Sequence, residues 1–357
     1  MVVIVIVLVA IAVMQRVQTS VYAITPGDAT PVAPLVRIEG LATDAHPDRI
    51  MLTDVYLTQL TAWQWIVDHF ESHVQFISSS QLLEPGIPAS EYEAQGFLEM
   101  SDSKQAAEVA ALRALGWMVP SVPTGAVVTA VNDPSPAYAA GLRVADEVVA
   151  LDGTPVDSSC SLIGLVHGYR PGTVERMSVR RARINAKGVI TWATPSTITA
   201  TTTAPPAGLV ASGCPGVVGA DDSWLGIALE DGVRYDLPGT ISINTTDIGG
   251  PSAGLAMTLT LINKLSAGSL TGHRVVAATG TIAPNGDVGD VGGVAEKTVA
   301  VQRAGAKVFI VPQVEVATAE GAARPGLRVI GVTSLAQALR DLRHLGGATP
   351  KPLTKPH

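Results

Sequence analysis

The chain has 357 residues and a formal net charge of −7 at pH 7, with 47% hydrophobic and only 4% aromatic residues. This length favours two or three domains, and the acidic balance without a concentrated basic patch excludes a typical nucleic-acid-binding protein. The hydrophobic content excludes a disordered chain. We therefore expect a multidomain globular protein with aliphatic cores and no nucleic-acid partner.

The first element is an apolar run, MVVIVIVLVAIAVM, over residues 1–14. It is shorter than the about 20 residues of a spanning helix and close in length to the hydrophobic region of a signal peptide. The sequence VYA at 21–23 loosely resembles a cleavage site. We interpret residues 1–24 as an export signal or a single membrane anchor. The remainder would then lie outside the cytoplasm, held at the cell membrane, or secreted if the segment is cleaved. A buried strand is the alternative interpretation.

Residues 25–115 predict a mixed α/β region. Its predicted elements are a strand at MLTDVYL (51–57), a helix at LTAWQWIVDHF (60–70), and a helix at SDSKQAAEVAALRALG (101–116). In the second helix, Ser101 or Ser103 would serve as the N-cap, and Gly116 would end the helix.

Residues 116–203 predict a β-rich domain with short strands between turns. It contains GAVVTAVNDPSPAYAAGLRVADEVVALDGTPV, residues 125–156, which resembles a PDZ domain of the bacterial type, with Ala145 in place of the usual glycine. PDZ domains bind extended peptides by adding a strand to a free sheet edge. The resemblance implies a peptide ligand on the backbone of Gly125, Ala126, Val127 and Val128. The alternative is a β-rich spacer.

Residues 204–219 predict a linker, and TATTTAPPAG (199–208) has the extended, proline-stiffened composition of one. A second α/β region follows over 220–345, and residues 346–357 predict a disordered tail. The two cysteines, Cys160 and Cys214, fit neither a zinc site nor a redox CxxC motif. Outside the cytoplasm they can form a disulfide, whereas in the cytosol they would stay reduced, and both states are open.

The stretch GGPSAGLAMTLTLINKL, residues 249–265, puts one serine directly before an apolar helix. Unpaired N–H groups and the positive end of the helix dipole favour developing negative charge at such a point. Ser252 is therefore a candidate nucleophile, with the Gly254 backbone as a candidate oxyanion donor. A simple N-cap role for Ser252 is the alternative. No GxxxxGK[ST] motif occurs, so nothing indicates a nucleotide site.

A serine nucleophile needs a base, and neither GxSxG nor HExxH occurs in the chain. A lysine serves when burial lowers its pKa. Lys297 lies in TGTIAPNGDVGDVGGVAEKTVAVQRAGAKVFIVP, residues 279–312, among glycines and apolar residues. This setting favours a buried base, while a solvated surface lysine is the alternative.

Three motifs in this order, PSAG with Ser252, TG from Thr279 and GGVAEK ending at Lys297, resemble the proteolytic domain of Lon-type proteases over about 220–345. With the PDZ-like region and the apolar N-terminus, the whole chain is similar to the PDZ-containing, membrane-anchored Lon-like serine proteases of Gram-positive bacteria.

The resemblance implies a Ser–Lys dyad, with Ser252 as nucleophile, Lys297 as general base and Thr279 orienting the lysine amine. Gly249 stands where the larger Lon enzymes often carry an acidic residue. The implied function is ATP-independent serine endopeptidase activity on extracytoplasmic proteins or peptides, with no cofactor, metal or ATP. The PDZ domain would recruit or regulate substrate, and a hexameric ring would be the assembly. The alternative is a catalytically silent peptide-binding scaffold at the membrane.

Overall fold

The computed structural model describes residues 2–44, 49–71, 73–82, 87, 89–185, 190–206, 214, 221–245 and 248–353. Its first helix, α1 (Val2–Met14), is apolar and has no buried residue. No helix in these ranges is both long enough and apolar enough to cross a membrane. The N-terminal membrane anchor that formed part of the expected fold class is therefore wrong, and so is the alternative of a buried strand.

Further strands and α-helices of the described residues precede the predicted PDZ region. In chain order they are β1 (Gln18–Pro31), β2 (Val36–Glu39), β3 (Arg49–Thr61), α2 (Ala62–Asp68), β4 (Gln75–Ser78), α3 (Ser79–Leu82) and α4 (Ala89–Ala114). The predicted strand at 51–57 lies within β3, and the predicted helix at 60–70 contains α2. Thr61 caps α2 through a capping box with Gln64.

The central elements alternate short strands with two helices. They are β5 (Ser121–Val131), α5 (Pro136–Ala139), β6 (Glu147–Leu151), β7 (Thr154–Pro155), α6 (Ser159–His167), β8 (Val174–Arg180), β9 (Ala182–Ile184), β10 (Ile190–Trp192), β11 (Ser196–Thr201) and β12 (Ile227–Tyr235). The predicted linker begins later than its composition suggests, because Thr199–Thr201 belong to β11. Most of 204–219 lies outside the described residues.

The C-terminal elements alternate strands and helices. They are β13 (Thr240–Ile243), α7 (Gly254–Leu265), β14 (Val275–Ala278), β15 (Thr281–Ile282), β16 (Val288–Gly289), α8 (Val294–Arg303), β17 (Val308–Pro312), α9 (Val316–Ala322), β18 (Arg328–Val332) and α10 (Leu335–His344).

The first sheet joins strands from both ends of the chain, in the order β18-β17-β14-β3-β1-β4. Strands β14, β17 and β18 are parallel to one another, β3 pairs parallel with β14, and β1 pairs antiparallel with β3. The N-terminal region therefore supplies half of this mixed sheet. The sequence patterns predicted residues 25–115 and 220–345 as separate regions, whereas in the structure strands from both regions form one sheet.

Helices cover both faces of the first sheet, because successive side chains of a strand point to opposite sides. On one face, Ile50 and Leu52 of β3 pack with α7, which is buried along nearly its whole length, and with α4 and α10. On the other face, Met51 and Phe309 pack with α8 and α9. Phe309 and Leu52 are both fully buried.

The second sheet has the order β11-β8-β6-β5-β12, with β7 beside β6. Strand β12 pairs along β5, with Glu230 opposite Val127 and Gly232 opposite Gly125. The other side of β5 pairs with β6. Strand β12 thus belongs to the predicted PDZ region, although the sequence assigned it to the C-terminal region.

Helix α4 lies between the two sheets and is longer than predicted. It begins at Ala89, so Ser101 and Ser103 lie inside the helix and neither is its N-cap. Gly116, with φ of +87°, follows the end of the helix as predicted. Leu98 packs against the second sheet, while Leu112 packs in the core of the first.

The predicted disordered tail is attached over its described part. The N–H of Ala267 donates to the carbonyl of Lys351 at 3.0 Å, and the N–H of Leu353 donates to the carbonyl of Leu265 at 3.0 Å. Residues 346–353 thus bind the end of α7 through the backbone, and residues 354–357 lie outside the described part.

Candidate active site

Ser252 lies in the turn immediately before α7 and is half-buried. The N-cap of α7 is Ala253, and no side chain caps the helix. The interpretation of Ser252 as an N-cap therefore does not hold, and its hydroxyl is not used to begin the helix. Gly250 has φ of +83°, which requires glycine for an unstrained turn.

Backbone hydrogen bonds fix this nucleophile turn (residues 249–252) on two sides. The N–H of Gly250 donates to the carbonyl of Gly96 in α4 at 2.8 Å. The carbonyl of Ser252 accepts from the N–H of Gly280 at 2.9 Å and from the hydroxyl of Thr279 at 3.2 Å. Thr279 follows the carboxyl end of β14, so the first sheet positions one side of the turn.

Lys297 lies in the first turn of α8, on the opposite face of the first sheet from α7. Its side chain is buried, and Nζ donates to Oγ1 of Thr279 at 3.4 Å. Burial lowers the pKa of the Lys297 amine to about 8, while the negative charges of Asp54 and Glu315 act to raise it. An appreciable fraction of the amine is therefore neutral near neutral pH, as a general base requires.

Thr279 connects the nucleophile turn with the base. It is fully buried, and its hydroxyl contacts both the Ser252 carbonyl and the Lys297 amine. Gly293 makes this approach of α8 possible, because it has φ of +67° and a Cβ there would lie 2.9 Å from Val55. The three residues predicted from separate motifs thus lie together at the carboxyl end of β14, in the middle of the first sheet.

Sequence reasoning missed the acidic neighbours of the lysine. Burial raises the pKa of the Asp54 carboxyl, and the charge of Lys297 lowers it. Asp54 interrupts an apolar stretch of β3, which was the available signal. Glu315 follows β17 and carried no signal, because its proximity to Lys297 depends on the order of the parallel strands.

Two backbone sites that the sequence predicted to bind substrate already have hydrogen-bond partners within the chain. The N–H of Gly254 donates to the carbonyl of Pro251 at 3.2 Å, so it does not face an oxyanion. The predicted peptide edge, Gly125 to Val128, is also wrong, because β5 is paired on both sides by β6 and β12. The free edge of the second sheet on that side is β12.

Ala145 takes a backbone conformation that glycine normally supplies. Its φ is +69° and its side chain is fully buried. A non-glycine residue pays a conformational cost there, and packing of the methyl group against Val127 and Val144 offsets part of it. This accounts for the tolerance of alanine at the position where PDZ domains usually have glycine.

Cys160 and Cys214 form a disulfide bond. Cys160 lies in α6, and Cys214 lies in the segment between β11 and β12. The bond therefore ties the segment before β12 to the helix that contacts β5, β6 and β12.

A cavity of about 680 Å³ lies between α4, the second sheet and the nucleophile turn. Glu99, Asp102 and Glu230 are among its lining residues, and Pro251 forms part of its wall next to Ser252. Burial, together with the neighbouring Glu230 carboxyl, raises the pKa of Asp102 to about 8. The cavity thus extends from β12 to Pro251 in the nucleophile turn.

Two family models match the chain. Residues 243–342 match the Lon protease (S16) C-terminal proteolytic domain, and residues 98–188 match the PDZ domain. The first match contains Ser252, Thr279 and Lys297. The second covers β5 to β9 and part of α4.

Curated relatives match about a quarter of the chain. Lon protease 1 of Herpetosiphon aurantiacus is 38% identical over 96 residues, which are 27% of this chain and 12% of the relative. The Lon protease of Rickettsia felis is 33% identical over 94 residues, 26% of this chain and 12% of the relative. The chain therefore spans about an eighth of the length of the curated relatives it matches.

Among solved structures, the PDZ domain of the SdrC-like protein from Listeria monocytogenes is 19% identical in sequence. The alignment covers 30% of this chain and 87% of that domain, with a TM-score of 0.22.

Proposed function

Because the chain contains a serine-peptidase domain of the Lon type and a PDZ domain, we propose that it is an ATP-independent serine endopeptidase with a Ser252–Lys297 dyad. The observation that carries the proposal is the buried Lys297 amine, with its pKa lowered to about 8, held by the hydroxyl that also binds the Ser252 carbonyl.

The proposed reaction has two stages. Neutral Lys297 accepts the proton of the Ser252 hydroxyl while Oγ attacks the peptide carbonyl, and the lysine then protonates the departing amine, which leaves an acyl-enzyme. A water molecule, deprotonated by the same amine, attacks the ester, and Ser252 recovers its proton as the acid product leaves. The backbone amides at Ser252–Ala253, at the positive end of α7, would stabilise the oxyanion in place of Gly254.

The PDZ domain would recruit or regulate polypeptide substrates. Among the described strands none pairs with the outer side of β12, which could therefore accept an added strand, and α6 contacts β12. The cavity beside α4 extends from β12 to Pro251, which offers a bound polypeptide a path toward the nucleophile. This assigns the peptide ligand to β12.

The compartment and the assembly belong to the same proposal. The Cys160–Cys214 disulfide favours an oxidising, extracytoplasmic location, since cytosolic thiols are kept reduced. A homo-oligomer, as a hexameric ring, is proposed on the Lon resemblance, and sedimentation analysis of the full chain would test it.

The experiment is nucleotide-free hydrolysis of fluorescein-labelled casein by the full chain. Ser252→Ala and Lys297→Met are each expected to lower kcat by at least about 10³-fold, because both act in the same chemical steps. Exposed Ser242→Ala and Lys307→Ala are the matched controls and should retain wild-type rates. Cleavage near the wild-type rate by either dyad variant would refute the dyad. If the wild-type chain cleaves nothing but binds peptides through the PDZ domain, the scaffold alternative is correct.

A further inference from the structure

Helix α4 contributes directly to the nucleophile turn, although no catalytic motif lies in it. Two of its residues contact the turn: the carbonyl of Gly96 accepts from Gly250, and the hydroxyl of Ser103 donates to the carbonyl of Pro251 at 2.9 Å. Pro251 immediately precedes Ser252. The two contacts therefore hold the turn on the side opposite to Thr279 and Gly280.

The Ser103 contact is unusual for a serine within a helix. Such a hydroxyl commonly bonds the carbonyl one turn earlier in its own helix, as Ser266 does toward Ile262 after α7. The Ser103 hydroxyl instead reaches another element, 148 positions later in the chain. Ser103 is only 5% exposed, although it also lines the cavity beside α4.

Close packing around Ser103 leaves the hydroxyl little freedom. A Cβ at Gly254, the first residue of α7, would lie 2.9 Å from Oγ of Ser103 and 2.7 Å from the Ile282 side chain. The start of α7, Ser103 and β15 therefore fit together only because residue 254 is glycine. A displacement of Ser103 would move the residues that precede and follow Ser252.

We propose that Ser103 is a positioning residue for the Ser252 nucleophile, an inference that rests on the proposed function. By holding the Pro251 carbonyl, Ser103 sets the orientation of the turn and hence the direction in which the Ser252 hydroxyl points. Without it, the Gly254 N–H at 3.2 Å is left as the contact on that carbonyl within the turn. Small displacements of a reacting group cost large factors in rate.

The same helix is anchored to the PDZ region. The buried Glu91 carboxylate accepts from the N–H of Val144 at 2.9 Å and pairs with Arg143 at 3.5 Å. One rigid helix therefore has the second sheet at one end and the nucleophile turn along its middle. A shift of that helix would therefore act on Ser252 through the hydrogen bond of the Ser103 side chain.

The test compares Ser103→Ala, Ser103→Cys and Ser242→Ala in the full chain, with labelled casein as substrate. The cysteine side chain has the shape of serine with a somewhat larger sulfur, and it donates hydrogen bonds weakly. Ser242 is exposed in β13 and is not among the residues that line the cavity, so it serves as the control. We measure kcat, KM, the pH profile and the thermal midpoint of each variant.

We expect both Ser103 variants to lower kcat about 10- to 100-fold, with KM and the pH profile unchanged and Ser242→Ala near wild type. If Ser103→Ala does not fold, the near-isosteric Ser103→Cys decides the matter. A wild-type kcat in a folded Ser103 variant, or an equal loss in Ser242→Ala, would overturn the inference. Equal rates for the wild type and Ser252→Ala would instead refute the proposed function, and this inference with it.

Discussion

The Nζ atom of Lys297 donates to the hydroxyl of Thr279 at 3.4 Å, inside a site where burial lowers the pKa of the amine to about 8. A base acts in its deprotonated form, which exists above its pKa. We therefore expect kcat/KM to rise as the pH increases through about 8 and to level off above it. An activity that declines across this range would contradict the assignment of Lys297 as the base.

Asp54→Asn should move this rise to lower pH. The Asp54 charge raises the pKa of Lys297, so its removal leaves burial less opposed and the amine deprotonates more readily. The measurement is the pH profile of kcat/KM. Asp28→Asn is the control. The negative charge of Asp28 raises the pKa of Asp54, so its removal favours the ionised Asp54 carboxylate. That variant should not shift the profile to lower pH, and the same downward shift in both would exclude a specific effect of Asp54.

Thr279→Val should lower kcat by about 10- to 100-fold, because it removes the hydroxyl that contacts both members of the dyad. Thr279→Ser keeps the hydroxyl and should stay within about threefold of the wild type, since the group that orients the amine is retained. Both variants are compared with the wild type in casein hydrolysis and thermal unfolding. A loss in Thr279→Ser as large as that in Thr279→Val would show that the hydroxyl alone does not account for the effect.

Glu175→Gln should stabilise the chain at neutral and higher pH. Glu175 is fully buried in β8, neither carboxylate oxygen has a hydrogen-bond partner in the described structure, and burial raises its pKa from 4.5 to about 7. The contribution of Glu175 to the wild-type free energy of unfolding should fall from pH 4.5 to about 7 and then level off, because the folded state binds the Glu175 proton more tightly than the unfolded state.

Glutamine does not titrate, so the variant avoids the cost of a buried charge. Its free energy of unfolding should exceed that of the wild type by up to about 3 kcal/mol at pH 8, with little difference at pH 4.5. Urea titrations at both pH values measure it, with Glu39→Gln, an exposed carboxylate, as the control. A Glu175 variant less stable than the wild type at pH 8 would show that the carboxylate has a partner that stabilises it.

Replacing both cysteines by serine should lower the stability of the second sheet. The bond joins residues 54 positions apart, and closing a loop of this size in the unfolded chain stabilises the folded state by about 2–4 kcal/mol. Urea unfolding of the Cys160→Ser/Cys214→Ser variant is compared with the wild type, with and without reductant. Reductant should destabilise the wild type alone, and identical midpoints under all conditions would exclude the bond in solution.

The grouping of Ser252, Thr279 and Lys297 was predictable because their three motifs resemble, in order, the proteolytic domain of Lon-type proteases. The family matches confirm the serine-peptidase and PDZ regions that contain these motifs. The position of Ser103 was not predictable. A serine before an apolar periodic stretch indicates an N-cap, but α4 begins twelve residues before Ser101, and the Ser103 hydroxyl bonds the Pro251 carbonyl instead.

The sequence also could not show which strands pair with one another in each sheet. The strand at 51–57 was predicted, yet its partner β14 lies far along the chain, and strand pairing is a property of tertiary contacts. Strand β12 read as part of the C-terminal region because it follows the linker, whereas its pairing partner is β5. The predicted peptide edge failed for this reason, since a sequence does not show which edge of a strand is already paired.

The pairing of Ile50 in β3 with Val276 in β14 sets the order in which the candidate site can assemble during synthesis. A ribosome releases β1, β3 and β4 early, whereas β14, the parallel partner of β3, emerges only after the strands of the second sheet have been made. Thr279 and Lys297 can reach their positions only once β14 and α8 have been synthesised. A chain that has grown only as far as β12 therefore holds the N-terminal half of the first sheet without the residues of the candidate site.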